Sequence, residues 1–164
     1  MDGNDRPGWA NQQRAVTIKD GNMMILGFQE VPVDSKISAA FRLSDNSART
    51  ELSKLIGNQF SSIYQNLEEG LGDDANMSRF YATEVSKNLL RELKISSRYW
   101  EKIQSFDRDG LKTFRLRVYS LAEIPEVNYK RLVREKIERE KLDPEMRQKA
   151  LVHFENEIKS FQSN

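Results

Sequence analysis

The sequence SRYWEKIQSFDRDGLKTFRLRVYSL, at residues 97–121, constrains the architecture most, because it predicts two β-strands joined by a turn. Its centre, Asp-Arg-Asp-Gly at residues 107–110, is a strong turn signal. The segment that follows, residues 112–121, alternates between polar and apolar side chains with a period of two, as a half-buried strand does. With residues 97–106 as the first strand, the sequence predicts a β-hairpin.

The two sides of this hairpin are expected to differ in chemistry. A turn of two or four residues around Asp109-Gly110 would place odd positions of one strand opposite even positions of the other. One side would then be apolar and suited to cover helices, with Tyr99, Ile103, Phe114, Leu116 and Val118. The opposite side would be cationic and aromatic, with Arg98, Trp100, Lys102, Gln104, Arg115, Arg117 and Tyr119.

Three interpretations of the cationic and aromatic side are open. It is a solvated face with cation–π contacts, worth about 0.5–1 kcal/mol each when exposed. Alternatively, it is a protein interface, where Arg, Trp and Tyr are enriched, or a surface that stacks on single-stranded nucleic acid. The net charge of +1 argues against nucleic acid. The candidate interaction residues are therefore Arg98, Trp100, Lys102, Arg115, Arg117 and Tyr119.

Helices are predicted on both sides of the hairpin sequence. Residues 35–69 and 76–94 carry apolar side chains at spacings of three and four, which is typical of amphipathic helices. A helix is expected to begin near Pro125, and Asp143-Pro144 provides a cap and a first-turn proline for another. The apolar run at residues 23–31, behind an Asp-Gly turn signal, predicts a buried strand.

These segments predict an α+β fold, with a small antiparallel sheet of about three strands packed on two long helices, plus a C-terminal helical pair. We expect residues 1–22 to be an extended N-terminal arm, residues 23–122 an α+β core domain and residues 123–164 a C-terminal helical extension. Trp9 is expected to dock on its own domain. The cluster Ser-Asp-Asn-Ser at residues 44–47 is a candidate break in the first helix, because such side chains compete for backbone hydrogen bonds.

The composition offers few routes to catalysis. The chain has no cysteine, which excludes a thiol nucleophile and thiolate metal sites, and it has one histidine. We expect His153 to be a surface or boundary residue. Glycine-rich phosphate loops, nucleophile elbows and zinc-protease motifs are missing from the sequence. The sequence thus predicts no enzyme, with no catalytic residue, cofactor site or metal site, and identifies no small-molecule partner.

Several short motifs follow one another between residues 7 and 122. They are Pro7 and Trp9, Gly27 in the first strand, the Ala-Arg-Thr-Glu-Leu sequence at residues 48–52, and Tyr99-Trp100 in the hairpin. In this order of motifs the chain resembles the bacterial outer-membrane lipoprotein family that includes the flagellar basal-disk lipoprotein. Phe28 departs from the small residue that the family has after its strand glycine.

The resemblance implies a non-enzymatic structural or assembly domain of a bacterial envelope lipoprotein that acts through protein–protein contacts. A flagellar or motility-related role is one that the resemblance suggests. Its partner would be another copy or a second envelope protein, and its membrane contact would be a lipid anchor that this sequence lacks. We expect the periplasmic face of the outer membrane if a signal peptide has been removed, and the cytoplasm otherwise. The alternative is a cytosolic adaptor or single-stranded nucleic-acid module that uses the same hairpin side.

Overall fold

The computed structural model describes residues 5–67, 74–140 and 142–162. Within those residues the chain forms four helices and one antiparallel sheet of four strands, in the order β1-β2-β4-β3. The strands are β1 (Val16–Lys19), β2 (Asn22–Pro32), β3 (Lys94–Phe106) and β4 (Lys112–Pro125). The helices are α1 (Ile37–Asn66), α2 (Asp74–Glu92), α3 (Glu126–Arg139) and α4 (Pro144–Lys159). The predicted α+β fold is confirmed.

Strand β1 adds a fourth strand within the segment that we expected to be an extended arm. Its Val16 and Ile18 side chains are buried beside β2. Asp20 and Gly21 both have positive φ, as a two-residue hairpin turn requires. The outer edge of β1 is covered by the C-terminal segment, because the Ile18 N–H donates to the Phe161 carbonyl at 2.7 Å.

Helix α1 lies directly on the sheet and is not interrupted at residues 44–47. A Cβ on Gly27 of β2 would lie 2.0 Å from the Ser44 carbonyl oxygen and 2.6 Å from the Ala48 nitrogen, so only glycine permits this approach. Ser44 is fully buried and hydrogen-bonds across to β4, which gives its hydroxyl partners without breaking the helix. Leu43 of α1 is 47% exposed, although it follows the apolar spacing of this helix.

The last two helices share the core of the sheet and α1. Tyr129 and Val133 of α3 and Phe154 and Ile158 of α4 are buried in the same apolar cluster as the β2 and α1 side chains. The Asp143 carboxylate caps α4, accepting from the Met146 N–H at 2.9 Å, as the sequence predicted. None of the described helices combines the length and the apolarity needed to cross a membrane.

Candidate functional site

The turn of the β3–β4 hairpin has three residues, which sets the register of the two strands. The Asp107 N–H donates to the Leu111 carbonyl at 3.0 Å, so the loop consists of Arg108, Asp109 and Gly110. Gly110 has a φ of +75°, the left-handed conformation that a three-residue loop needs at this position. The Asp107 carboxylate stabilises the loop by accepting from the N–H groups of Asp109 (2.9 Å) and Leu111 (2.8 Å).

A loop with an odd number of residues places even positions opposite even positions. Trp100 therefore faces Val118, and Glu101 faces Arg117. The prediction that all six candidate interaction residues share one side is wrong, because it assumed a turn of two or four residues. Arg98, Trp100 and Lys102 lie on the helix side of the sheet, whereas Arg115, Arg117 and Tyr119 lie on the outer side.

On the helix side, Arg98 is bound to α1. Its guanidinium donates to both carboxylate oxygens of Asp45, at 3.1 and 2.8 Å, and the Ser120 hydroxyl donates to the same carboxylate at 2.6 Å. Burial raises the pKa of Asp45, but the hydrogen bonds from Arg98 and Ser120 outweigh it and leave the pKa below its ordinary value. Ser44 completes the network through a 2.6 Å contact with the Ser120 hydroxyl. This network joins α1 to the base of the hairpin.

On the outer side, the N-terminal segment binds the hairpin. The Arg6 guanidinium forms an ion pair with Glu101 and donates to the Tyr119 hydroxyl at 2.7 Å. Tyr119 in turn donates to Glu101 at 3.1 Å, and its ring lies 5.2 Å from that of Phe28. Burial raises the pKa of Glu101, but the hydrogen bonds from Arg6 and Tyr119 and the Arg6 charge together outweigh burial and hold the pKa below its ordinary value. Ala10 is buried next to this site and Trp9 is half-buried.

The two remaining arginines on the outer side share one carboxylate. Arg115 contacts Glu30 of β2 at 2.9 Å and Arg117 contacts it at 3.1 Å. All three arginines among the six candidate residues are thus paired with a carboxylate within the chain, since Arg98 is bound to Asp45. The Lys102 ammonium lies 4.5 Å from the centre of the Phe114 ring, and Tyr119 is 5% exposed.

The end of the hairpin, residues 104–114, extends beyond its neighbour strand. Strand β2 pairs with β4 only as far as Pro32 opposite Arg115, so no third strand among the described residues lies beside the last residue pairs. Phe106, Leu111 and Phe114 in this hairpin end are 63%, 65% and 41% exposed. Trp100, on the same side as Phe106 and Phe114, is 47% exposed. Sequence reasoning placed Phe114 on the buried side and did not single out Phe106 or Leu111.

Two signals in the sequence could have revealed this arrangement. Glycine as the third loop residue after Asp107 is typical of a three-residue turn. The resulting register also places Glu101 opposite Arg117, a favourable pair of opposite charges. Asp45, Ser120 and Arg6, which hold the hairpin, carried no local signal, because their partners lie far away in the sequence.

His153 does not form a nucleophile–base–acid chain with its neighbours. Its Nε2 atom contacts both the Ser62 hydroxyl (2.8 Å) and the Glu157 carboxylate (2.7 Å). In a catalytic triad the serine and the carboxylate bind opposite ring nitrogens of the histidine, whereas here they share one. The side chain is partly buried between α4 and α1, in keeping with a boundary position. Among the described residues, no group of three His, Cys, Asp or Glu could hold a metal ion.

A groove of about 790 Å³ lies between α1 and α2. It is lined by small side chains such as Ser53 and Ser86, and its charged groups are Arg79 and Lys87. The described residues that line it include no carboxylate and no imidazole to act as a general acid or base.

Comparison of the chain with protein-family models, with curated proteins and with solved structures finds no match.

Proposed function

We propose that this chain is a non-enzymatic structural domain that binds proteins through the end of its β3–β4 hairpin. The observation that carries the proposal is the projection of residues 104–114 beyond β2, where Phe106, Leu111 and Phe114 are each exposed. Aromatic side chains dominate protein interfaces, whereas clustered apolar exposure is unfavourable on a free surface. We therefore place the proposed contact surface at the hairpin end and not on the cationic side that the sequence predicted.

The base of the hairpin is held from both sides, which supports a role in binding. Asp45 of α1 binds Arg98 on the helix side, and Arg6 binds Glu101 on the outer side. A contact element that is already ordered loses little conformational entropy when it binds. The hairpin end is therefore presented in a defined orientation relative to the core.

The arrangement of the hairpin does not support the alternative of a single-stranded nucleic-acid module. It required one surface that combined Arg98 and Trp100 with Arg117 and Tyr119, and these pairs lie on opposite sides of the sheet. Arg98, Arg115 and Arg117 are also bound to carboxylates within the chain, so their charges are largely compensated. We therefore retain a protein as the proposed partner.

The resemblance over residues 7–122 supports a place for this domain in a bacterial envelope, associated with the outer membrane. A flagellar or motility-related assembly is one such setting. Fractionation of the source cells tests this placement, because it predicts that the protein sediments with outer-membrane markers. Recovery in the cytoplasmic fraction would contradict the envelope proposal and leave the role of the hairpin untouched.

Site-specific photo-cross-linking in the source cells tests the binding role. A benzophenone amino acid is introduced in place of Phe106, and in a matched variant in place of Val127, which is 69% exposed at the start of α3. Strand β4 runs from Lys112 to Pro125, so the two positions lie at opposite ends of a strand about 40 Å long.

The proposal predicts one discrete adduct at position 106, identified by mass spectrometry as a single protein, and little or none at position 127. The adduct partner can be this chain or another protein. Equal labelling at both positions, or no adduct at position 106, would overturn the hairpin end as the contact element.

A further inference from the structure

Among the described residues, one edge of the sheet is covered by the chain itself and the other edge is open. The outer edge of β1 is covered by the chain itself, through the bond from the Ile18 N–H to the Phe161 carbonyl and the bridge between Ile18 and Gln162. Strand β3 is longer, Lys94–Phe106, and within the described residues it pairs only with β4. A long open edge offers a row of unpaired N–H and C=O groups to another strand.

The hydrogen-bond pattern identifies which groups are open. Because Asp107 bonds to Leu111 across the turn, odd-numbered residues of β3 direct their N–H and C=O groups toward β4. The even-numbered residues, Trp100, Lys102, Gln104 and Phe106, direct theirs toward the open side. Their backbone groups are free to pair with a further strand.

We propose that two copies of this chain pair in antiparallel orientation through their β3 edges. The twofold axis is perpendicular to the sheet and lies midway between Ile103 of one copy and Ile103 of the other. This inference rests on the proposed binding role of the hairpin and names its partner as a second copy. Each four-stranded sheet would then continue into the other, with both helix layers on the same side.

The strand is complementary to itself in this register. Trp100 lies opposite Phe106 of the second copy, so two pairs of exposed aromatic side chains, 47% and 63% exposed, cover each other. Ile103 meets its own copy on the axis, and Lys102 lies opposite Gln104. Glu101 lies opposite Ser105. Like charges do not face each other anywhere in residues 100–106.

Other registers are less favourable. An axis through Glu101 or Lys102 places two identical charges opposite each other, and an axis through Trp100 places Arg98 opposite Lys102; each is destabilising. An axis through Tyr99 avoids like charges, but the pairing soon reaches the irregularity between Ile95 and Ser97. The net charge of +1 adds little repulsion between copies.

Cysteine cross-linking of the full chain tests the register, because the wild-type chain has no cysteine. Ile103→Cys places two thiols directly opposite each other in a non-hydrogen-bonded pair, where Cα atoms are about 4.5 Å apart. Ser105→Cys is the matched control, because its two copies would lie about 13 Å apart along the strand. Mild oxidation should give a disulfide dimer of Ile103→Cys at least about 10-fold faster than of Ser105→Cys.

Sedimentation equilibrium of the chain without cysteine tests association itself. The proposal predicts a concentration-dependent monomer–dimer equilibrium. Gln104→Pro removes an N–H on the open side and should abolish the dimer while leaving the β3–β4 pairing intact. Gln104→Lys places a lysine opposite Lys102 twice and should weaken association by about 5-fold, and adding Lys102→Glu should restore it.

A chain that stays monomeric at all concentrations, or one in which Ser105→Cys cross-links as fast as Ile103→Cys, would overturn the proposed pairing. If such a chain still gives a discrete adduct with another protein at position 106, self-pairing fails alone and the proposed binding function stands. Failure of Lys102→Glu to rescue Gln104→Lys would overturn the register.

Discussion

At the scale of single residues, the junction between α1 and the sheet depends on close polar and backbone contacts. Asp45 receives hydrogen bonds from Arg98 and Ser120, and its side chain is 14% exposed. Gly27 lets the α1 backbone approach the sheet more closely than any other residue would. These residues fix the direction in which the hairpin leaves the core.

Asp45→Asn should lower the free energy of unfolding by about 1 kcal/mol at pH 7. The effect is modest because the Arg98 side chain is 45% exposed and its charge is screened by solvent. Since the folded chain holds the pKa of Asp45 below its ordinary value, the ionised carboxylate stabilises the fold at neutral pH, and this contribution is lost as the pH falls.

Urea unfolding of wild type and Asp45→Asn should therefore show a difference that shrinks between about pH 5 and pH 2. Asp109→Asn, in the exposed turn, is the control and should behave as wild type. A difference that is constant over this pH range would contradict the assigned role of Asp45.

Gly27→Ala should destabilise the chain by about 3 kcal/mol, because the new Cβ would collide with backbone atoms of α1. Gly57→Ala is a matched control within α1, where a Cβ meets no atom within 4 Å. It should stabilise the helix by about 0.5–1 kcal/mol. Chemical denaturation measures both, and equal effects would contradict the close approach of α1 to the sheet.

At the scale of elements, the helices were predictable and the strand register was not. Apolar spacing and the Asp143 cap located α1 to α4 to within a few residues, because both signals are local. The hairpin strands were also located. However, the loop length decides which side chains of the two strands share one side of the sheet, and one additional loop residue reverses this assignment. Strand β1 was missed because it has only four residues in a polar segment.

Asp107→Ala should loosen the hairpin end, because it removes the acceptor of the Asp109 and Leu111 N–H groups. Loss of about 1 kcal/mol of local stability corresponds to about 5-fold faster amide exchange of Ser105 and Thr113. Asp109→Ala, in the same loop, should leave these rates unchanged. Faster exchange in both variants, or in neither, would contradict the role of the Asp107 carboxylate.

At the scale of the whole molecule, residues from both ends of the chain complete the sheet and its core. Arg6 binds Glu101 across 95 positions, and Arg98 binds Asp45 across 53. Such pairs could not be predicted from local sequence, because they exist only after the topology has formed. The predicted C-terminal extension shares its core with α1, through Phe154 and Ile158.

Phe154→Ala should lower the free energy of unfolding by about 3–5 kcal/mol, because it leaves a cavity in the shared core. Phe106→Ala, at the exposed hairpin end, should change it by less than about 0.5 kcal/mol. Thermal unfolding followed by far- and near-ultraviolet circular dichroism should show one cooperative transition in both variants. A separate early transition of α3 and α4 would indicate an independent C-terminal unit.

Residue-resolved amide exchange of β3 at low and high protein concentration tests most directly that this strand offers its open edge to a second copy. At low concentration, the amides of Lys102 and Gln104 should exchange quickly and those of Ile103 and Ser105 slowly. At high concentration, Lys102 and Gln104 should become protected as well. Protection that arises instead at Lys112 and Phe114, whose N–H groups face away from β3, or exchange that is independent of concentration, would contradict it.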